Sequence, residues 1–387
     1  MIRRAHASAL HASAPFIVLI PLALAACATQ AVPPSSTSKV AAPTAVTTPV
    51  TQTLLPKVPQ PPERPVAPPS VTDPAIPMEQ RVAAFVDYTA QTYGVDPNFI
   101  RSTLAQAVYQ QKIIDAITRP AEAVKPWRDY RPIFMTDARI EGGRAFYAEN
   151  REALDRISAE TGVPAEMIVA IIGVETNYGK NTGSYRVIDA LYTLAFWHPK
   201  RAPFFAGELA QLFGLVKEEP QLDILTLKGS YAGAMGMGQF MPSSWRNWGK
   251  DGDGDGRRDL LTHKPDVFAS IANYFVAHGW ERGGAVVARV TRAPEAADFV
   301  PEGDPKALDP IYPQAYFAAR GYRPQPGEPV VEGATLLSLD GEAGKEYWFG
   351  YRNFYVISRY NRSPMYSLAV YQLAQAIRNG TVGSGTS

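Results

Sequence analysis

Several kinds of residue are scarce in this chain, and each scarcity removes a class of protein. There is one cysteine in 387 residues, so no disulfide can form within the chain. Lys and Arg (38) balance Asp and Glu (37) to a net charge of +1, with no dense basic cluster. That balance excludes nucleic acid as the main partner, because phosphate binding needs a basic footprint. Long hydrophobic runs are also missing. The one apolar run near the start, Phe16 to Ala26, is too short for a comfortable bilayer span, and no later segment could span one. No internal repeat is present. What remains, 46% hydrophobic and 19% charged, is ample for a sizeable core in two or three packed subdomains. Aromatics reach 11%, with 19 tyrosines, which suits a groove that stacks sugars and suits core packing equally well.

The single cysteine is informative by position. Arg3 and Arg4 precede the apolar run, which ends in Leu24-Ala-Ala-Cys27 and resembles the lipobox of bacterial lipoproteins. The resemblance implies a signal peptide over 1–26 and a lipidated N-terminal Cys27. Ala28 follows in place of Asp, which points to an outer-membrane anchor on the periplasmic side. Residues 27–77 hold 13 of the 34 prolines and no aromatic residue, so they are expected to form an extended, mobile tether.

Folded character begins near Met78. The spacing predicts helices over 79–93, 98–118, 137–161, 187–198, 203–218, 266–278 and 364–378. Trp127 to Phe134 reads as an aromatic, basic connector. Residues 284–340 alternate Val and Ala among prolines and glycines, the mark of a small β-containing subdomain, and 346–357 is strand-like. The expected organisation is a helical part over 78–126, a core over 127–283, the β-containing part over 284–345, a return to the core over 346–378, and a disordered tail over 379–387. The fold class is mainly α, with a smaller α+β component.

One stretch carries the chemistry. Val163 to Gly179 reads as a buried helix, because Met167, Ile168, Ile171, Ile172 and Val174 cover more than one face, with Pro164 at its start and Gly179 as its stop. Glu175 sits at its C-terminal end. There, low-dielectric surroundings and the negative end of the helix dipole both favour the protonated acid. A neutral carboxylic acid is what protonating a leaving-group oxygen requires. A solvent-facing glutamate at a frayed helix end is the alternative reading.

Two further passages stand out. Asp251-Gly-Asp-Gly-Asp-Gly256 puts Asp251, Asp253 and Asp255 at positions 1, 3 and 5 of an EF-hand-like loop, with a glycine at 6 and the Arg257 carbonyl at 7. Position 12 is Thr262, not a bidentate Glu, and Asp266 could close the site in a longer loop. A structural calcium ion is the expectation, and a solvated acidic turn the alternative. The Gly-rich passage Lys228 to Trp245 lacks the lysine of a phosphate-binding loop. Its glycines allow close backbone approach, with Ser230 and Gln239 as polar points in a small, apolar lining.

Together, Gly173-Val-Glu-Thr-Asn-Tyr-Gly179, Lys228 to Ser244, Ala272-Asn-Tyr-Phe275 and Arg359-Tyr-Asn361 resemble the lytic murein transglycosylase B family, in order and spacing, from about Met78 to Ala376. The resemblance implies a lysozyme-like helical core and cleavage of the MurNAc–GlcNAc β-1,4 bond of peptidoglycan without water, giving 1,6-anhydroMurNAc. By the same resemblance Glu175 matches the catalytic acid/base and Ser230 a hydroxyl that hydrogen-bonds it. Tyr130, Gln239, Tyr274, Tyr360, Asn361 and Tyr366 match groove residues, and Lys200-Arg201 a basic pair facing the peptide stems, with Lys200 in place of an Arg. No cofactor for catalysis is implied beyond the structural calcium. The partners implied are peptidoglycan glycan strands and the lipid anchor, with other cell-wall enzymes as further partners for a monomer. A hydrolytic muramidase on the same fold and a non-catalytic peptidoglycan-binding lipoprotein are the competing readings.

Overall fold

Apolar runs bounded by glycine and proline build most of this molecule. The computed structural model describes residues 53–61, 66–118, 125–301, 304 and 307–381. At its centre lies the helix Ala165–Thr176, whose residues are buried on every face; Ile168 to Ile172 are fully shielded from solvent. Around it pack the helices Asp137–Glu149, Arg151–Thr161, Lys264–Ala277 and the C-terminal helix Pro364–Thr381. Val187–Trp197 and Ala202–Glu218 pair closely beside them and receive Met78–Tyr93. Among the described residues, no single helix is long and apolar enough to cross a membrane.

Two short strands, β1 (Tyr185–Arg186) and β2 (Lys228–Gly229), pair antiparallel where the Gly-rich passage begins. The expected β-containing subdomain is a five-stranded antiparallel sheet. It is made of β3 (Val287–Arg292), β4 (Tyr312–Pro313), β5 (Tyr322–Pro324), β6 (Gly333–Gly341) and β7 (Gly344–Gly350), in the order β4-β6-β7-β3-β5. Period-two alternation splits its side chains between two cores. Val287, Leu337, Leu339 and Trp348 face the helical core. Ala288, Val290, Ala334, Leu336 and Phe349 face a second, smaller one around Phe317 and Tyr322. The mainly helical architecture with a small β-containing part expected from the sequence is what forms.

Several boundaries differ from expectation. The helix expected over 98–118 is two, Pro97–Leu104 and Gln111–Thr118, because buried Asp189 and Thr193 accept the backbone N–H groups of Val108 and Gln110 and hold the intervening loop open. The helix over 137–161 breaks at Asn150. The strand-like 346–357 ends at Gly350, and Arg352–Tyr360 is a helix with a buried face of Phe354, Val356 and Ile357. The aromatic connector forms a short helix, Trp127–Tyr130, followed by a 3-10 turn, and packs on β6.

The tether is also shorter than expected. Residues 53–61 and 66–77 lie against the folded body, with a helical turn at Pro69–Thr72. The Leu55 N–H donates to Ile311 O (2.7 Å) and the Ala67 N–H to Pro203 O (3.1 Å). Val58, Ala67 and Val71 are buried. Arg81, itself buried, donates to Val71 O and to Phe196 O, both at 2.9 Å. Composition hid this strap because three scattered aliphatic residues and backbone hydrogen bonds suffice to dock it. The lipobox cysteine, Cys27, and the end of the tail fall outside the described residues.

Burial of two valines and an alanine contributes about 4 kcal/mol. A chain starting at Met78 is therefore expected to melt roughly 10 °C below one starting at Thr53, as read by circular dichroism. Equal melting temperatures would show that the strap contributes nothing.

Candidate active site

The central helix ends abruptly after Thr176, with Asn177 (φ 50°), Tyr178 (φ 61°) and Gly179 (φ 82°) all in the left-handed region. The expected stop at Gly179 thus comes two residues earlier, at asparagine, which tolerates this conformation. Tyr178 does not tolerate it cheaply, and its side chain shows what holds it there. The ring lies over Gly173, where an added Cβ would come within 2.8 Å of it, and the hydroxyl donates to Arg139 O (2.6 Å). Arg139 Nη1 in turn donates to Gly173 O, one of the carbonyls at the open end of the helix.

Glu175, one residue before the helix end, is open on one side, yet its carboxyl is set deep in the protein. Burial pushes its pKa from 4.5 up to about 7, and a hydrogen bond from Tyr366 Oη to Oε1 (2.5 Å) opposes the rise. No second carboxylate and no cation figures among these influences. Three tyrosines surround the charge: Tyr130, Tyr360 and Tyr366 all have their pKa raised by burial first and by Glu175 second. They remain neutral donors at any physiological pH. Tyr130 Oη is buried and has no hydrogen-bond partner among the described residues.

The Gly-rich passage is bolted to the same helix end. The Thr176 hydroxyl donates to Met237 O (2.9 Å) and accepts from the Gly179 N–H (3.0 Å). Met235 and Phe240 exchange backbone hydrogen bonds across a tight turn, and Tyr360 Oη donates to Gly238 O (2.7 Å). Gly236 (φ 68°) must be glycine, since a Cβ there would lie 2.0 Å from Leu260 O. Gln239 (φ 52°) donates its amide to Thr182 O and Gly236 O at 3.1 and 3.0 Å. Glu208, buried on the helix Ala202–Glu218, caps the next helix by accepting from Ser243 N (2.9 Å) and Ser243 Oγ (2.6 Å).

The other expected groove residues divide into two groups. Tyr274 is buried, stacks on His278 (4.0 Å), and donates to Arg359 O (2.6 Å) beside Tyr360. Asn361, half-buried, ends the helix Arg352–Tyr360. Ser230 departs from expectation: its hydroxyl oxygen accepts from the Ala234 N–H (3.1 Å) within its own turn, and the hydroxyl on Glu175 belongs to Tyr366. Lys200 is exposed, while Arg201 lies 4.8 Å over the rings of both Phe204 and Phe205.

The acidic loop brings one carboxylate oxygen each from Asp251, Asp253 and Asp255 within 4.8 Å of one another. Arg257 follows, its N–H donating to Asp255 Oδ1 (2.8 Å). Asp266 is buried and accepts from the Gly252 and Asp259 N–H groups, both at 2.7 Å, tying the two ends of the loop together. It also groups with Asp253 and with His263, which had no place in the sequence reading. Converging hard oxygen donors of like charge fit a calcium ion.

The family model described as a transglycosylase SLT domain matches residues 77–375. The membrane-bound lytic murein transglycosylase B of Escherichia coli is 40% identical over 307 residues, covering 76% of this chain and 81% of that protein. Among solved structures, soluble lytic transglycosylase SltB1 from Pseudomonas aeruginosa is 45% identical with a TM-score of 0.71, covering 78% of this chain and 99% of that one. The Escherichia coli lytic transglycosylase Slt35 in complex with calcium is 38% identical with a TM-score of 0.69, covering 78% and 93%. This chain belongs to the SLT-domain transglycosylase family.

An acid whose pKa is raised by folding destabilises the fold when it ionises. The penalty is absent below pH 4.5, grows between 4.5 and about 7, and is complete above. Glu175→Gln is therefore expected to raise stability by about 3 kcal/mol at pH 8 and by almost nothing at pH 4. Urea unfolding at the two pH values checks this, and a pH-independent difference would contradict the raised pKa.

Proposed function

We propose that this chain is a peptidoglycan lytic transglycosylase in which Glu175 serves first as acid and then as base. The observation that supports this most is a buried carboxyl, its pKa raised to about 7, on which no second carboxylate acts among the described residues. A glycosidase with two acids would need a second one facing it. In the proposed reaction Glu175 gives its proton to the glycosidic oxygen as the C1–O bond of MurNAc breaks. The carboxylate so formed accepts the hydrogen bond from Tyr366, and an oxocarbenium-like centre develops at C1, with help from the substrate's own N-acetyl group. The MurNAc 6-hydroxyl oxygen then bonds to C1 and its proton returns to Glu175. The product is 1,6-anhydroMurNAc, and no water is consumed. The neutral hydroxyl of Tyr130, without a partner among the described residues, is suited to a sugar oxygen. In this reading residues 127–283 and 346–378 form the catalytic unit, with Ser230, Gln239, Tyr274, Tyr360 and Asn361 shaping the groove and Lys200-Arg201 facing peptide stems.

Asp251, Asp253, Asp255, the Arg257 carbonyl and Asp266 would hold a calcium ion, which would offset part of the loop's negative charge and brace Leu260 against Gly236. Its proposed role is structural. The membrane-bound name of the Escherichia coli relative supports an envelope location. The finer proposal is a periplasmic enzyme anchored to the outer membrane through Cys27.

Digestion of purified sacculi by the wild-type chain is expected to release anhydro-muropeptides, lighter by one water than the hydrolytic products. Glu175→Gln is expected to abolish release, with kcat down at least 1000-fold and glycan binding retained; full activity in that variant would sink the assignment. The alkaline limb of the kcat profile should lie near pH 7, and Tyr366→Phe should move it upward, because that hydrogen bond lowers the carboxyl pKa. Removing calcium with a chelator should lower the melting temperature of the wild type by several degrees and leave that of Asp251→Asn unchanged. A chelator effect of equal size in both would place the ion elsewhere.

A further inference from the structure

Among the described residues three large aromatic rings stand exposed: Phe99, Tyr109 and Trp197. Phe99 meets Phe213 edge-on at 6.0 Å and belongs to the packing of its own helix. Tyr109 (39% exposed) and Trp197 (37%) lie together instead, their centroids 4.8 Å apart, with Tyr192 5.3 Å from the indole. The pair is held in place. The loop before Gln111 is pinned to the helix Val187–Trp197, because Asp189 and Thr193 accept from the N–H groups of Val108 and Gln110. The Tyr109 hydroxyl donates to Gln111 Oε1, and the Gln111 amide donates to Asp115 Oδ1 (2.8 Å).

This ledge joins the walls of the active site at both ends. At one end Tyr185 pairs with Gly229 across β1 and β2, Gln239 donates to Thr182 O (3.1 Å), and the Lys112 ammonium lies 5.0 Å over the Tyr185 ring. At the other, His198 Nδ1 accepts from the Lys200 and Arg201 N–H groups (3.1 and 3.0 Å) and sets the turn that leads from Trp197 to Arg201. Between the ends lies Tyr231, the neighbour of Ser230. Burial raises its pKa, and Tyr185 and Arg201 are both close enough to move it further, in opposite directions. The Gly-rich passage that Thr176 fixes to the end of the central helix therefore borders the ledge on both sides.

We propose that Tyr109 and Trp197 form a stacking platform for a sugar of the glycan strand outside the groove at Glu175. The proposal rests on the transglycosylase reading, because it takes the strand to run past the Gly-rich passage. An aromatic face takes the apolar face of a pyranose ring, and the outward hydroxyls and N-acetyl amides of the sugar need polar partners at the rim. Gln111, Lys112 and Asp115, all exposed, offer an amide, a cation and a carboxylate there. A stable protein partner would need roughly 800 Å² of this surface, more than Val108, Tyr109 and Trp197 can expose, whereas one sugar ring fits. The helix Val187–Trp197 carries the surface about 16 Å from β1 to the indole, so the platform lies beyond the reach of a short glycan fragment held at Glu175. It would hold long strands without touching the bond that breaks.

The test uses the full chain and two substrates that both carry stems: long glycan strands and a tetrasaccharide. The wild type is expected to prefer the long strands. In Trp197→Ala the ratio of kcat/KM between the two should fall about tenfold, through KM on the long strands and not through kcat. Tyr109→Ala, in an exposed loop, should lower it in the same direction and guards against a folding defect in the first variant. Trp197→Tyr, which keeps a flat ring, should restore most of the ratio. An unchanged ratio in both alanine variants, or an equal loss on both substrates, overturns the platform. Binding of stem-free long strands to the same proteins, followed by sedimentation, separates the two proposals. If the wild type released no anhydro product, weaker strand binding in the alanine variants would still support the platform, and equal binding would refute it. Loss of self-association in those variants with strand binding unchanged would make the ledge a contact between copies of this chain and overturn the proposal.

Discussion

A carboxyl group kept out of water at the end of a fully buried helix is the constraint on which this structure turns. The interior disfavours its charge. The group cannot escape into solvent, because the chain beyond it is locked in three successive left-handed residues. That lock depends on Tyr178, whose ring needs the bare Cα of Gly173 and whose hydroxyl needs Arg139 O. The strain at Tyr178 is thus tied to the packing of the helix core. Loosening the turn would cost the contacts that Gly173 and Arg139 make with it.

Neutral tyrosines suit such a carboxyl better than charges would. An Arg or Lys beside Glu175 would stabilise the carboxylate and return its pKa to the ordinary range, removing the acid. A second carboxylate would raise the pKa further but would oppose the ionised form that the second half of the proposed reaction needs. Tyr366 lies between these extremes. Its hydrogen bond favours the carboxylate only enough to temper burial, leaving a value near 7 from which a proton can leave and to which it can return. The phenols are themselves so deeply buried that they do not compete as acids.

The sequence shows this arrangement unevenly, and the reasons are physical. The central helix is legible because its apolar residues leave no polar face, and Glu175 is conspicuous as the one acid at its end. The acidic loop is legible because metal-ligand spacing is local. Ser230 misled: resemblance puts a hydroxyl at the carboxylate, but the oxygen is drawn into its own turn by the Ala234 N–H. Glu208 was open to detection as the lone charge within Phe204 to Phe213, yet its purpose as a cap for Ser243 needs a contact 35 residues away in the chain. The strap over 53–61 and 66–77 shares that difficulty, because its partners lie far away in sequence and are backbone atoms, which no residue pattern records. The helix Arg352–Tyr360 reads as a strand because its aromatic and β-branched content suits either state, and only its packing on the helical core decides.

The sheet gains a purpose from the same geometry. β6 sends alternate residues into two cores, so the β-containing part is fused to the helices and cannot move independently of Trp127 and Tyr130. The strap adds a second fastening, from Ile311 across to Pro203 and Phe196. A force applied at Thr53 would therefore enter the molecule at the sheet and at the helices that receive the strap, not at the residues around Glu175. For an enzyme working on a polymer larger than itself, that separation keeps the carboxyl and its tyrosine partner in register when the strap is loaded.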